Sequence, residues 1–86
     1  MLEKIKMSLR IKHTALDDEL IDMIAAAKKD LARVGIINIT DEDTLIIQAV
    51  KLYCKWHLNY ESDADRYKEA YTSMAQSLSM SGDYSV

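Results

Sequence analysis

The sequence predicts an all-α fold: a small bundle of about four helices with a largely apolar central third helix and a short flexible C-terminal tail. Two observations support it. The 86 residues include only two glycines and no proline, so the backbone has few points of interruption. Apolar residues recur at spacings of three and four, without the sustained alternation of a sheet. We therefore expect one helical domain over residues 1–79 and a tail over residues 80–86.

The first two helices follow from amphipathic patterns. The first is predicted over residues 1–9, with Lys6 on its polar side. The second is predicted to start after Thr14, whose side chain can cap it, and acidic residues then follow at its positive end. Its apolar face consists of Leu20, Ile24, Ala27, Leu31 and Val34. Gly35 suits the left-handed stop of this helix.

An apolar connection, Ile36–Ile39, leads to the third helix. It is too short for a paired strand of its own, so we expect its isoleucines to pack against the bundle or another subunit. The third helix is predicted to begin at Thr40, with Asp43 three residues later in a weak relative of the capping box. From Leu45 to Leu58 it is apolar on nearly all sides, which is typical of a central helix.

The fourth helix is predicted from Ser62 and Asp65, a second arrangement of the capping type. Its apolar face consists of Tyr67, Tyr71, Met74 and Leu78. We expect it to end near Gly82, followed by a small polar tail that is either frayed or ordered only by a partner.

Composition restricts the classes of function. The chain has 11 basic and 14 acidic residues, a formal charge of −3, and its basic residues are scattered, which disfavours binding of free nucleic acid. A single cysteine forms no intramolecular disulfide. No apolar stretch approaches the roughly 20 residues that span a bilayer, so we expect a soluble protein without membrane contact.

Residues capable of chemistry are few and isolated. Cys54 and His57 are three positions apart on a helix, but no second pair of strong ligands accompanies them, so we predict no metal and a buried structural Cys54. The acidic residues before the third and fourth helices compensate helix N-termini. The sequence contains no glycine-rich phosphate loop and no pattern of a nucleophilic site. We therefore predict a protein that is not an enzyme and has no cofactor.

A helix-turn-helix reader of DNA is the competing interpretation for a small helical domain. A recognition helix should carry exposed basic or amide side chains near its start. The third helix instead begins with acidic and apolar residues, and Asp63 and Asp65 lie at the start of the fourth. The chemistry of the residues therefore favours an interaction protein whose surplus apolar surface supports self-association.

The order and spacing of several segments along the chain are distinctive: Leu9–Ile11, Asp17–Ile21, Ile24–Ala27, Gly35–Ile36, Leu45–Tyr53, Tyr60, Arg66–Tyr71 and Ser81–Tyr84. This order resembles the small head-tail connector (head-completion adaptor) proteins of tailed bacteriophages and prophages. The resemblance covers essentially the whole chain. Asn59 and the unusual segment Cys54–His57 depart from the family's pattern.

The resemblance implies a non-enzymatic structural protein of the virion. Copies would assemble as a ring on the portal after DNA packaging and extend the DNA channel toward the tail, offering a docking surface to the next connector, stopper or tail protein. DNA would pass through the channel without sequence-specific binding. The implied location is the head-tail junction, and the host bacterial cytoplasm during assembly.

Five residues are the candidates for subunit or partner contact. The isoleucines of the connection have the least cover within a monomer, and the tail can reach the portal or a neighbouring subunit. The candidates are Ile36, Ile37, Ile39, Asp83 and Tyr84. The alternative function is that of a small prophage-encoded helical DNA-binding or regulatory protein.

Overall fold

Four α-helices and one short 3-10 turn form the protein in a computed structural model that describes residues 1–85. They are α1 (Leu2–Leu9), α2 (Asp17–Arg33), α3 (Thr44–His57) and α4 (Ala64–Ser79), with the 3-10 turn at Tyr60–Ser62. Within the described residues no strand forms, and the one sheet-like feature is an isolated antiparallel bridge between Ile36 and Ser85. The all-α prediction is confirmed. Val86, the last residue of the predicted tail, lies outside the described part.

Helix α3 is the centre of the bundle, as the sequence predicts. It packs against α1, α2 and α4, and its most extensive contact is with α4. Its buried residues are Ile46, Ile47, Ala49, Val50 and Cys54. Each large apolar side chain buried in this way stabilises the fold by about 1.5–3 kcal/mol before the loss of conformational entropy is counted.

Helix α2 ends in the left-handed stop that the sequence predicts at Gly35, and the structure shows that this stop is a Schellman motif. Gly35 has a φ of 93°, and its N–H donates to the carbonyl of Ala32 at 3.0 Å. The N–H of Ile36 donates to the carbonyl of Leu31 at 3.1 Å, which completes the motif. Ile36 and Leu31 are both buried. The stop therefore also directs the first residue of the connection into the core.

The start of α2 corrects the prediction that Thr14 caps it. The helix begins at Asp17, and Leu16 holds the cap position without a side-chain hydrogen bond. Only the carbonyl of Thr14 takes part, by accepting the N–H of Asp17 at 3.1 Å. An ion pair fixes this end instead: Nζ of Lys6 lies 2.7 Å from Oδ1 of Asp17. Lys6, predicted on the polar side of α1, is buried.

The start of α3 corrects the position of the predicted cap. The helix begins at Thr44, and Asp43 is its cap: Oδ1 of Asp43 accepts the N–H groups of Leu45 at 2.9 Å and Ile46 at 3.2 Å. Thr40 supports this residue, because its hydroxyl oxygen accepts the N–H of Asp43 at 3.2 Å. Both residues of the predicted arrangement thus take part in hydrogen bonds at this end, but the cap is Asp43 and not the predicted Thr40.

Helix α4 likewise starts without the predicted Ser62 cap. Asp63 holds the cap position with no side-chain hydrogen bond. The side chain of Asn59 substitutes, because its Oδ1 accepts the N–H of Ala64 at 3.2 Å. Asn59 has a φ of 51°, a left-handed conformation that asparagine tolerates better than most residues. The helix ends at Ser79, three residues before Gly82. No helix within residues 1–85 has the length and apolar character needed to cross a membrane.

Candidate assembly surface

The C-terminal tail folds back onto the connection between α2 and α3. The N–H of Ile37 donates to the carbonyl of Tyr84 at 2.7 Å, and Nδ2 of Asn38 donates to the carbonyl of Asp83 at 3.0 Å. We call this surface, residues 36–43 together with residues 80–85, the clasp. It lies where α2 and α4 end and α3 begins.

The clasp differs from the flexible tail that the sequence predicts. A turn brings the tail back: the N–H of Tyr84 donates to the carbonyl of Ser81 at 3.1 Å, and the hydroxyl of Ser85 donates to the same carbonyl at 2.8 Å. Asn38 supports the return with a left-handed φ of 60°, which sets its amide toward Asp83. A polar residue in an otherwise apolar connection is the sequence signal that could have revealed this contact.

One carboxylate joins the tail to the central helix. The hydroxyl of Tyr84 donates to Oδ2 of Asp43 at 2.7 Å. This hydrogen bond is the main cause that lowers the pKa of Asp43, and the backbone N–H groups that it caps lower it further, against a rise from desolvation. The same bond raises the pKa of Tyr84. The contact is therefore strongest with Asp43 ionised and Tyr84 protonated, as they are at neutral pH.

The five predicted contact residues all lie in the clasp, but they differ in exposure. Ile36 is only 2% exposed and belongs to the core of its own chain, whereas Ile37 is 39% exposed. Asp83 is exposed, and Ile39 and Tyr84 are half-buried. The structure thus brings the five residues together around one surface, with Ile36 beneath it. Their contact with another chain stays a prediction.

A groove between α2 and α4 lies next to the clasp and has a volume of about 320 Å³. The hydroxyl of Tyr71 donates to Oδ2 of Asp30 at 2.6 Å, and the guanidinium of Arg33 donates to Oδ1 at 2.8 and 3.1 Å. The bond from Tyr71 is the main cause that lowers the pKa of Asp30. Burial, followed by the bond to Asp30, raises the pKa of Tyr71. The sequence pattern places Tyr71 on an apolar face and gives no sign of this polar contact.

Cys54 and His57, the candidate pair of metal ligands, occupy different environments. Cys54 is fully buried, and burial raises the pKa of its thiol to about 12, so the thiol stays protonated. The ring of His57 is exposed and lies 4.2 Å, between ring centroids, from both Tyr53 and Trp56. Desolvation lowers the pKa of His57, against an opposing effect of Asp30. Residues 1–85 contain no group of three His, Cys, Asp or Glu that could hold a metal ion.

Comparison with known proteins identifies the family. A family model described as "Phage connector protein" matches residues 1–85, so the match spans the four helices and the clasp. No curated protein and no solved structure gives a significant match. The helical order, the central apolar helix and a match over this length agree with one another. The chain belongs to the phage connector protein family.

Proposed function

We propose that the chain is a head-tail connector that docks as a ring on the portal after DNA packaging and extends the DNA channel toward the tail. The observation that carries the proposal is the family match over residues 1–85. Membership of the phage connector protein family gives this chain a structural connector role in a phage. The ring, its place on the portal and the channel are the further content of the proposal.

The clasp supplies a surface suited to such a contact. Ile37 presents an apolar side chain that is 39% exposed, and the carboxylate of Asp83 lies nearby in the exposed tail. Hydrogen bonds from Ile37 and Asn38 already hold the tail, so little conformational entropy remains to be lost on binding. We assign subunit or partner contact to Ile37, Ile39, Asp83 and Tyr84, with Ile36 supporting them from below.

The proposed partners follow from the position of such a ring. One side would meet the portal protein, and the other would meet a downstream connector, stopper or tail protein. Neighbouring copies would contact one another through two different faces, since a closed ring requires heterologous contacts. The chain would act at the head-tail junction of the virion, after assembly in the host bacterial cytoplasm.

In this function DNA passes through the channel without sequence-specific binding. The residues at the start of α4 support this. Arg66 pairs with Asp63 at 3.0 Å, and its guanidinium lies 5.0 Å from the centre of the Tyr67 ring, so it is engaged within its own chain. The alternative, a DNA-binding regulatory protein, predicts salt-dependent retention of duplex DNA by the purified chain.

A docking experiment tests the proposal. Purified chain would be added to DNA-filled, portal-bearing heads from a phage lacking the gene, and the heads would be sedimented and imaged at the portal vertex. We expect the chain to sediment with the heads and to form a ring on the portal. A chain that stays in the supernatant, with heads that remain unable to accept tails, would overturn the proposal.

Two variants of Ile37 connect this docking to the clasp. Ile37→Asp places a charge on the contact surface and should abolish sedimentation with the heads. Ile37→Val keeps the surface apolar and should leave sedimentation unchanged. Circular dichroism checks that both variants retain the helical fold. Equal docking by the two variants would contradict the assignment of the clasp.

A further inference from the structure

The two most exposed large apolar side chains of the described residues lie at opposite ends of α2. They are Met7 and Met80, each 78% exposed. Met7 lies on α1 next to the ion pair that fixes the start of α2. Met80 follows α4, whose last turn borders the groove at the end of α2. At about 1.5 Å per residue, the length of α2 separates the two ends by about 24 Å. They cannot meet within one chain.

Met7 borders a groove whose lining is apolar and basic. A shallow groove of about 500 Å³ is lined by Lys6, Met7, Arg10, Ile11 and Lys12, with no acidic residue among them. Arg10 and Lys12 are exposed and form no ion pair within residues 1–85. We call this surface the basic groove.

The backbone holds the basic groove in a defined shape. Arg10 is left-handed, with a φ of 59°, and ends α1. The N–H of Ile11 donates to the carbonyl of Lys6 at 2.9 Å, and the N–H of Arg10 donates to that of Met7 at 3.2 Å. These two bonds form a Schellman stop, so the segment that carries the positive charges is fixed before any partner binds.

The clasp end has the opposite charge. Glu42 and Asp83 are exposed there and form no ion pair within the described residues. The neighbouring cations are already engaged, because Lys28 pairs with Asp41 and Arg33 pairs with Asp30. Exposed apolar side chains of the clasp accompany these carboxylates, namely Ile37 and Met80.

We propose that the basic groove of one copy receives the clasp of the next copy. The inference rests on the proposed ring and names its subunit contact. Met7 would pack against Ile37 and Met80 of the neighbouring copy, while Arg10 and Lys12 would face the carboxylates of its Glu42 and Asp83. Opposite charges select this pairing over groove with groove or clasp with clasp, because like charges repel. A contact between two different faces is heterologous, as a ring requires.

Disulfide crosslinking tests the pairing. Met7→Cys and Met80→Cys chains with different tags would be mixed and oxidised, free and on portal-bearing heads; native Cys54 is fully buried. The mixed 7–80 product should exceed both the 7–7 and 80–80 products by about tenfold, because docking raises the effective concentration of one thiol at the other. Ser73→Cys, on the exposed face of α4, is the control partner for Met7→Cys. A 7–80 yield no higher than this control, or no product at all, would overturn the pairing.

Charge reversal tests the electrostatic part. Arg10→Glu with Lys12→Glu in the Met7→Cys chain should lower the 7–80 yield by about tenfold. Adding Glu42→Lys with Asp83→Lys to the Met80→Cys chain should restore the yield. A loss without restoration would overturn the assigned charge contacts.

The crosslinking experiment on portal-bearing heads distinguishes a failure of this inference from a failure of the proposed function. If the chain docks on heads but the 7–80 product is not favoured, the pairing is wrong and the connector function stands. If the 7–80 product forms but the chain does not bind heads, the pairing stands and the function is wrong.

Discussion

The side chain of Tyr84 is hydrogen-bonded to the residue that caps the central helix. Its hydroxyl donates to Oδ2 of Asp43 at 2.7 Å, while Oδ1 of Asp43 accepts the N–H groups of Leu45 and Ile46. One carboxylate therefore caps α3 and holds the tail. Hydrogen bonds to an ionised acceptor are stronger than those between neutral groups, so the order of the clasp depends on the charge of Asp43.

Tyr84→Phe should weaken the clasp and reduce its dependence on pH. The pKa of Asp43 is lowered in the folded chain, so the associated stability is present above the ordinary pKa of 3.8 and is lost as the pH falls through the folded pKa. We expect the variant to have a lower free energy of unfolding at neutral pH and a smaller loss between neutral pH and about pH 3. Urea denaturation at both pH values measures this.

The control is Tyr60→Phe, since the Tyr60 hydroxyl has no hydrogen-bond partner within residues 1–85. If Tyr84→Phe loses as much free energy of unfolding between neutral pH and about pH 3 as the wild type does, this result would contradict the role of the Tyr84 hydroxyl.

Tyr71→Phe should destabilise the contact between α2 and α4. The variant removes the 2.6 Å bond to Asp30 while keeping the buried ring. Asp30 keeps Arg33 and some solvent contact, so we expect a loss of about 1–2 kcal/mol in the free energy of unfolding. The pKa of Asp30 should also rise, which NMR titration measures. Tyr53→Phe is the control: its hydroxyl has no partner within the described residues, and it should cost under about 0.5 kcal/mol.

Alanine at the two glycines should have opposite consequences. A Cβ at either position would meet nothing within 4 Å, so steric crowding plays no part. Gly35 has a φ of 93°, and Gly35→Ala should cost about 1–2 kcal/mol because a side chain disfavours that conformation. Gly82 lies outside the left-handed region, and Gly82→Ala should be neutral or stabilise by about 0.4–1 kcal/mol through the unfolded state. Thermal unfolding compares them; equal losses would contradict the backbone argument.

The helices were predictable because their signal is local. Apolar spacing marks one face of a helix whatever it packs against, and the almost entirely apolar sequence of α3 indicates its central position. The stop at Gly35 was predictable for the same reason, since glycine adopts a positive φ more easily than other residues, whatever surrounds it. Cap positions depended on more distant contacts. Thr40 and Asp43 can both cap a helix. Asp43, which is the cap in the structure, also accepts a hydrogen bond from Tyr84, and no local sequence pattern contains that contact.

The sequence singles out the five candidate contact residues but not the surface on which they lie, and their contact with another chain stays a prediction. Apolar character singles out the isoleucines of the connection, but it does not show that the stop at Gly35 directs Ile36 into the core while Ile37 stays 39% exposed. Long-range hydrogen bonds from Ile37 and Asn38 then hold the tail beside this connection, and no local sequence pattern contains them. Lys6 is a similar case: the amphipathic pattern assigns a lysine to solvent, whereas its partner Asp17 in the next helix allows its burial.

The ion pair between Lys6 and Asp17 should couple α1 to α2 more strongly than a surface pair would. The Lys6 side chain is 8% exposed, so Asp17→Ala leaves a buried charge without a partner and should cost about 3 kcal/mol. Lys6→Met keeps the apolar stem, and the double variant should cost clearly less than the two single variants together. The more exposed pair of Lys28 and Asp41 is the matched control, with an expected coupling below about 1 kcal/mol. Urea denaturation of both cycles measures the couplings, and equal values would contradict a special role for the buried pair.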